Sequence, residues 1–189
     1  IGSFVSTDEE RGHKTCPRRR YVEISQGPND AYAMRRDYFT LAVSNVDWVD
    51  EEGDPRMPTV EIDFTGPEST LRSRFTDANG EILDAGDTDV AFRLQTPTDD
   101  PDAEGVVAVT NRLTGDFILE LNVEAASVLE FITAARKYAE ATDGDARYRV
   151  DVAFDGEHFV TYEKSTFLVY NQDGDLLRSN SLIPSGVEL

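Results

Sequence analysis

From Tyr38 onward the apolar residues of this chain recur at every second position in run after run, and at helical spacing in one long stretch, 123–141. A period of two sends successive side chains to opposite faces of a strand, so each run carries one apolar and one polar face. Tyr38-Phe39-Thr40-Leu41-Ala42-Val43 and Val60-Glu61-Ile62-Asp63-Phe64 open the series, separated by a Gly- and Pro-bearing loop over 47–58. Leu71, Ser73 and Phe75 alternate with Arg72 and Arg74, and Asn79-Gly80 turns the chain into Glu81-Ile82-Leu83. Val90-Ala91-Phe92-Arg93-Leu94 is a further short strand, and 106–111 and 117–121 form a hairpin around Leu113-Thr114-Gly115-Asp116.

In the helical stretch Ala125, Val128, Leu129, Ile132, Ala135 and Ala139 form one apolar face, with Asn122 placed as N-cap and Asp143-Gly144 as the stop. Tyr148, Val150, Val152 and Phe154 then alternate up to an Asp155-Gly156 turn, and 157–164 return. A two-residue turn there predicts Val152 opposite Phe159 and Arg149 opposite Tyr162. Residues 166–170 form the next strand, and 176–178 return from a turn over 171–175. The expected fold class is α+β: a mostly antiparallel sheet of about nine or ten short strands, with one long amphipathic helix near 123–141 packed on it.

Charge constrains where such a domain stays folded. The chain has 37 Asp and Glu against 18 Lys and Arg, a net charge of -19, and Lys occurs only at 14, 137 and 164. Positions 1–33 are net neutral and lack sustained patterning, so they read as a disordered or spurious extension ahead of Met34, with 34–189 as a single globular α+β domain. A domain of that size exposes on the order of 7,700 Å², about one carboxylate per 240 Å². In molar salt the screening length falls to about 3 Å and this self-repulsion is suppressed. Few lysines, evenly spread acids and ample β-branched residues fit a salt-adapted, cytoplasmic protein better than a disordered chain or a DNA mimic.

Several chemistries lack their residues. Cys16 is the single cysteine, which excludes an internal disulfide and a Cys-rich zinc site. His158 is the one histidine after His13, no Gly-x-Ser-x-Gly elbow accompanies it, and it reads as a strand-face residue. Asn171, Asp173 and Asp175 begin like a calcium loop, but Gly174 is misplaced and Leu182 stands where a closing Glu belongs. Asp99, Asp100 and Asp102 are a carboxylate cluster of the kind an acidic chain produces by chance, and no phosphate-cradling glycine loop is present. Arg72, Arg74 and Arg93 are expected to pair with acids, which makes nucleic acid an unexpected partner. Arg35-Arg36 resembles a twin-arginine signal, but Asp47 cuts the following apolar run short. No run approaches the roughly 18 apolar residues of a membrane helix.

No catalytic, cofactor-binding or metal-binding residue is therefore predicted. The expected function is non-enzymatic interaction with a protein partner or with itself, and Trp48, Tyr138 and Tyr162 are candidate contacts whose competing reading is core or boundary packing. The alternative is a small-ligand-binding protein or enzyme using Asp, Glu, Arg and Tyr in a sheet-lined pocket. Met34-Arg35-Arg36-Asp37-Tyr38-Phe39-Thr40-Leu41, then Asn45-Val46-Asp47-Trp48, the Lys-poor acidic composition and the segment 180–189 together resemble a family of small haloarchaeal proteins known as a domain of unknown function. The resemblance covers 34–189. It implies salt adaptation and a start at Met34, and it carries no activity, cofactor or site residue.

Overall fold

The computed structural model describes residues 36–50, 53–97, 100, 102–142, 144 and 147–185, all within the unit Tyr32–Leu189. The extension 1–33, with Cys16 and His13, lies outside the described residues, as do Arg35 and Asp99.

The period-two runs are strands: β1 (Phe39–Ser44), β2 (Thr59–Phe64), β3 (Thr88–Leu94), β4 (Glu104–Asn111), β5 (Phe117–Glu124), β6 (Tyr148–Phe154), β7 (Glu157–Lys164) and β8 (Leu168–Tyr170). They form two four-stranded mixed sheets, ordered β1-β2-β6-β7 and β5-β4-β3-β8. Within the first, β2 and β6 are parallel; within the second, β3 and β8 are parallel; every other neighbouring pair is antiparallel. The whole β3-β4-β5 meander lies in the chain between β2 and its parallel neighbour β6, so the two sheets are interleaved in sequence.

Helix α2 (Ala125–Thr142) joins the two apolar sheet faces in one core, alongside the short α1 (Glu68–Arg74). Phe131 of α2 packs edge-on against Tyr148 at 5.1 Å and against Phe167 at 5.5 Å, tying β6 to the chain entering β8. Burying such rings and the aliphatic residues around them is the main favourable term for a fold of this kind. The α+β class with a long helix on sheet is as the sequence predicts.

Four local readings change. Residues 71–75 are helix and its cap, not strand, because Leu71 and Phe75 are both fully buried at i, i+4 spacing and Arg72 bonds Glu68 at 2.7 Å one turn away. The runs at 81–83 and 176–178 are reduced to single bridges, Thr76 with Ile82 and Tyr170 with Leu176, which together with the helix at 71–75 leaves eight strands among the described residues where nine or ten were expected. Asn122 lies within β5 and does not cap the helix: Val123 is buried opposite Gly105, and Ala125 N donates to Ala103 O as strand passes into helix. The 155–156 turn is as read, with Asp155 at φ 47° and Gly156 at φ 79°, but the strands beyond it are shifted by one. Phe154 faces Glu157 and Ala153 faces His158, whereas Val152 faces Val160 and Arg149 faces Glu163, so Phe159 is an extra, bulged residue.

Candidate functional site

The bulge at Phe159 arranges the outer face of the first sheet. Along an undistorted strand residues 158 and 161 point to opposite faces, since their separation is odd. With Phe159 inserted, its ring turns inward onto Phe75 at 5.6 Å, and His158 and Thr161 emerge together on the outer side.

Three rows of paired residues then cross that face. Thr40, Asp63, Ala153 and His158 make the first; Ala42, Glu61, Asp151 and Thr161 the second; Ser44, Thr59, Arg149 and Glu163 the third. The small side chains of Ala42 and Ala153, with Gly156, leave a floor between taller neighbours, and an open groove of about 650 Å³ runs over it. Thr161 Oγ1 donates to Asp151 Oδ1 at 2.5 Å. With its hydrogen so committed, it accepts from His158 Nε2 at 2.9 Å, which assigns the ring proton to Nε2. Ser44 Oγ donates to Glu61 Oε1 at 2.8 Å and Gly156 N to Asp63 Oδ1 at 2.9 Å. Each of the three central carboxylates thus has one oxygen bonded, while Glu61 Oε2, Asp63 Oδ2 and Asp151 Oδ2 have no partner among the described residues. Arg149 at the rim lies 3.5 Å from Glu163.

The inward face of β7 is occupied differently. Tyr162 Oη donates to Leu83 O at 2.7 Å, and Lys164 Nζ donates to Ala85 O at 2.6 Å, to Thr88 O and to Thr88 Oγ1 at 3.1 Å. Burial lowers the pKa of Lys164, opposed by nearby Asp89, and its three N–H bonds all have acceptors, so it is a cross-link between the sheets and not a free amine. Burial pushes the Tyr162 phenol well above its ordinary range, reinforced by Asp84 and Asp87, and does the same to Tyr148, whose Oη donates to Thr166 O at 2.7 Å.

Between the two sheets, the described residues enclose a gap in the core. It has a volume of about 20 Å³ and is lined by apolar side chains from both sheets and α2, including Leu41, Val60, Val107 and Phe131. One water barely fits such a space and would find no polar partners there, so it is a dry packing defect. A second open groove, about 520 Å³, lies on the outer face of the other sheet, but its guanidiniums are engaged: Arg36 with Glu120 and Asn122, Arg93 with Gln172 O.

Of the residues singled out from sequence, Trp48 is buried and donates Nε1–H to Asn45 O at 2.8 Å, and Tyr162 is buried as described. Tyr138 is half-buried on α2. Arg72 pairs with Glu68 and lies over the Phe159 ring at 5.1 Å, whereas Arg74 and Arg93 donate to the carbonyls of Phe117 and Gln172. The Asn171 side chain closes its own turn, accepting from the N–H groups of Asp173 and Asp175. Strand parity alone separates His158 from Thr161 and hides the outer-face constellation; the consecutive apolar pair Phe159-Val160, which breaks the alternation, is the signal that marks it.

What fold and site together define is an α+β domain of two mixed sheets with an open, carboxylate-lined groove on one outer face. The chain belongs to DUF5793, a family of unknown function whose model matches residues 34–189. No curated protein and no solved structure matches it. No helix among the described residues is long and apolar enough to cross a membrane.

Proposed function

We propose that this domain is a non-enzymatic, salt-adapted cytoplasmic binding module, which takes a cationic segment of a partner protein on the outer face of its first sheet. One observation carries the reading: Glu61, Asp63 and Asp151 converge on one open groove, each with a carboxylate oxygen that meets no donor among the described residues. An open trough suits a segment lying across it, whereas enclosed small-ligand sites bury most of their ligand. The Asp151-Thr161-His158 contact favours a second reading, hydrolysis with Thr161 as nucleophile. Against that, the Gly156 N–H beside the groove is already bonded to Asp63, and the Thr161 hydrogen faces a carboxylate, which is a weak base. The net charge of -19 supports the salt-adapted part of the proposal.

The test uses the full chain in two steps. Circular dichroism across a KCl series should show cooperative folding only toward molar salt; a fully folded chain at low salt removes the salt-adapted reading. Titration in molar KCl with a lysine-bearing peptide should then perturb the NMR signals of β2 and β6, and the triple variant Glu61→Gln, Asp63→Asn, Asp151→Asn should not respond. Unchanged spectra in the parent protein end the binding reading.

A further inference from the structure

The four sheet edges are not treated alike. An exposed edge offers unpaired N–H and C=O groups to any extended chain, and folded proteins guard edges with charges, bulges, short strands or covering segments. Edge β8 has three residues and is covered: Val169 N donates to Ser181 Oγ, Leu177 N donates to Val169 O, and Phe167 and Leu182 exchange both backbone bonds. Edge β5 carries Glu120 and Glu124, and Arg74 Nη1 occupies Phe117 O. Edge β7 carries the Phe159 bulge with Glu157, Glu163 and Lys164.

Among the described residues edge β1 has no charge, bulge or hydrogen-bonded cover, although β5 of the other sheet passes beside it. Its six residues, Phe39-Thr40-Leu41-Ala42-Val43-Ser44, bear no charge in a chain of net charge -19, and it pairs with β2 in unbroken register. The phase of that pairing follows from Thr65 N donating to Tyr38 O: residues 38, 40, 42 and 44 face β2, which leaves the N–H and C=O of Phe39, Leu41 and Val43 pointing outward. No described residue bonds those groups. Leu41 and Val43 point toward the core and are still only half-buried, so the apolar side of the edge is also unfilled.

We infer that the cationic segment binds by strand addition along β1, as an extended stretch alternating Lys or Arg with apolar residues. This rests on the groove reading of the preceding section and specifies how the partner is read. An added strand lies two strand spacings from β2, about 10 Å. Its residues opposite Thr40 and Ala42 project over those small side chains toward Asp63 and Glu61, the next residues in the same rows. An extended lysine or arginine and an extended carboxylate close that distance between them. The intervening residues point inward and cover Leu41 and Val43. Main-chain bonds to β1 supply affinity and the alternating side chains supply selection, the division of labour in strand addition generally. At molar salt charge attraction acts over only about 3 Å, so the carboxylates select at contact while the backbone ladder holds.

The test is a titration of the full chain in molar KCl with a seven-residue peptide alternating Lys and Val, followed by single backbone N-methylations along it. Because only alternate amides of an added strand face β1, methylation is expected to weaken binding by about tenfold at every second position and by less than about twofold between them. Replacing Lys by Glu should abolish binding. Val43→Pro, which removes an outward N–H without touching the ladder to β2, should weaken it similarly; proline also alters packing there, so the methylation series stands as the independent measurement. If every methylated peptide binds alike while the carboxylate variants lose binding, the groove takes the segment but not as a strand, and this inference alone falls. If the parent peptide does not bind, the groove reading falls and the inference with it.

Discussion

The two sheets have equal strand numbers and one parallel pair each, yet among the described residues the β8 edge of the second is bonded to a cover and the β1 edge of the first is not. In the second, three residues of β8 suffice for an edge because Ser181, Leu177 and Leu182 supply its missing partners, and the outer-face arginines are bonded to the chain's own oxygens. In the first, a six-residue uncharged edge stands beside carboxylates that each keep one oxygen without a partner among the described residues. Folding does not require that difference, since β8 shows how little sequence it takes to cover an edge. Strand β7 makes the same contrast across its own thickness: inward Tyr162 and Lys164 donate to backbone carbonyls and the Thr88 hydroxyl, while outward His158 and Thr161 line an open groove.

The largest effect is expected where the sheets share a joint. Phe131→Ala leaves a cavity against Tyr148 and Phe167 and should cost about 4 kcal/mol in urea denaturation, with both sheets losing amide protection together. Loss of protection in one sheet alone would mean they are not coupled through α2. Next, Ser181→Ala removes the acceptor of a buried Val169 N–H and should cost about 2 kcal/mol while exposing the β8 edge. A cost near zero would show that this edge does not depend on its cover.

How much of this was legible in the sequence divides along the same line. Local periodicity located β1, β2, the β6-β7 hairpin and α2, because those patterns depend on neighbours within a few residues. The parallel pairings β2-β6 and β3-β8 join segments remote in sequence, and nothing in either strand's alternation names its partner. Helix α1 mimics a strand in sequence, since Leu71, Ser73 and Phe75 satisfy a period of two while Leu71 and Phe75 alone satisfy one helical turn. The groove depended on a single inserted residue, Phe159, which changes parity for everything between it and the turn. The charge-free run of β1 was visible, but its meaning required knowing that β1 is an edge.

Alkaline pH sharpens the contrast for β7. In the folded chain Tyr148 and Tyr162 hold their protons above the ordinary range, so the unfolded chain releases them first and stability falls as pH rises past about 10, by up to about 1.4 kcal/mol per pH unit for each. Lys164 acts in the opposite sense, since its folded-state pKa is lowered: between that value and its unfolded value, stability rises with pH. Tyr162→Phe should therefore flatten the alkaline limb of a pH-stability curve, and an unchanged limb would remove Tyr162 from the account. The smallest effect belongs to the outward face: Thr161→Val should change stability by less than about 0.5 kcal/mol, because its contacts are exposed. A large loss there would make the Asp151-Thr161-His158 contact part of the scaffold.

Residue-resolved amide exchange of β1, with and without the alternating Lys-Val peptide, tests the central claim most directly. In the free protein the amides of Thr40, Ala42 and Ser44, bonded to β2, should exchange slowly and those of Phe39, Leu41 and Val43 rapidly. Peptide should slow the second set and leave the first unchanged. Uniform protection along β1 before any peptide is added, or no gain at Phe39, Leu41 and Val43 after saturation, would contradict an open edge that receives a cationic strand.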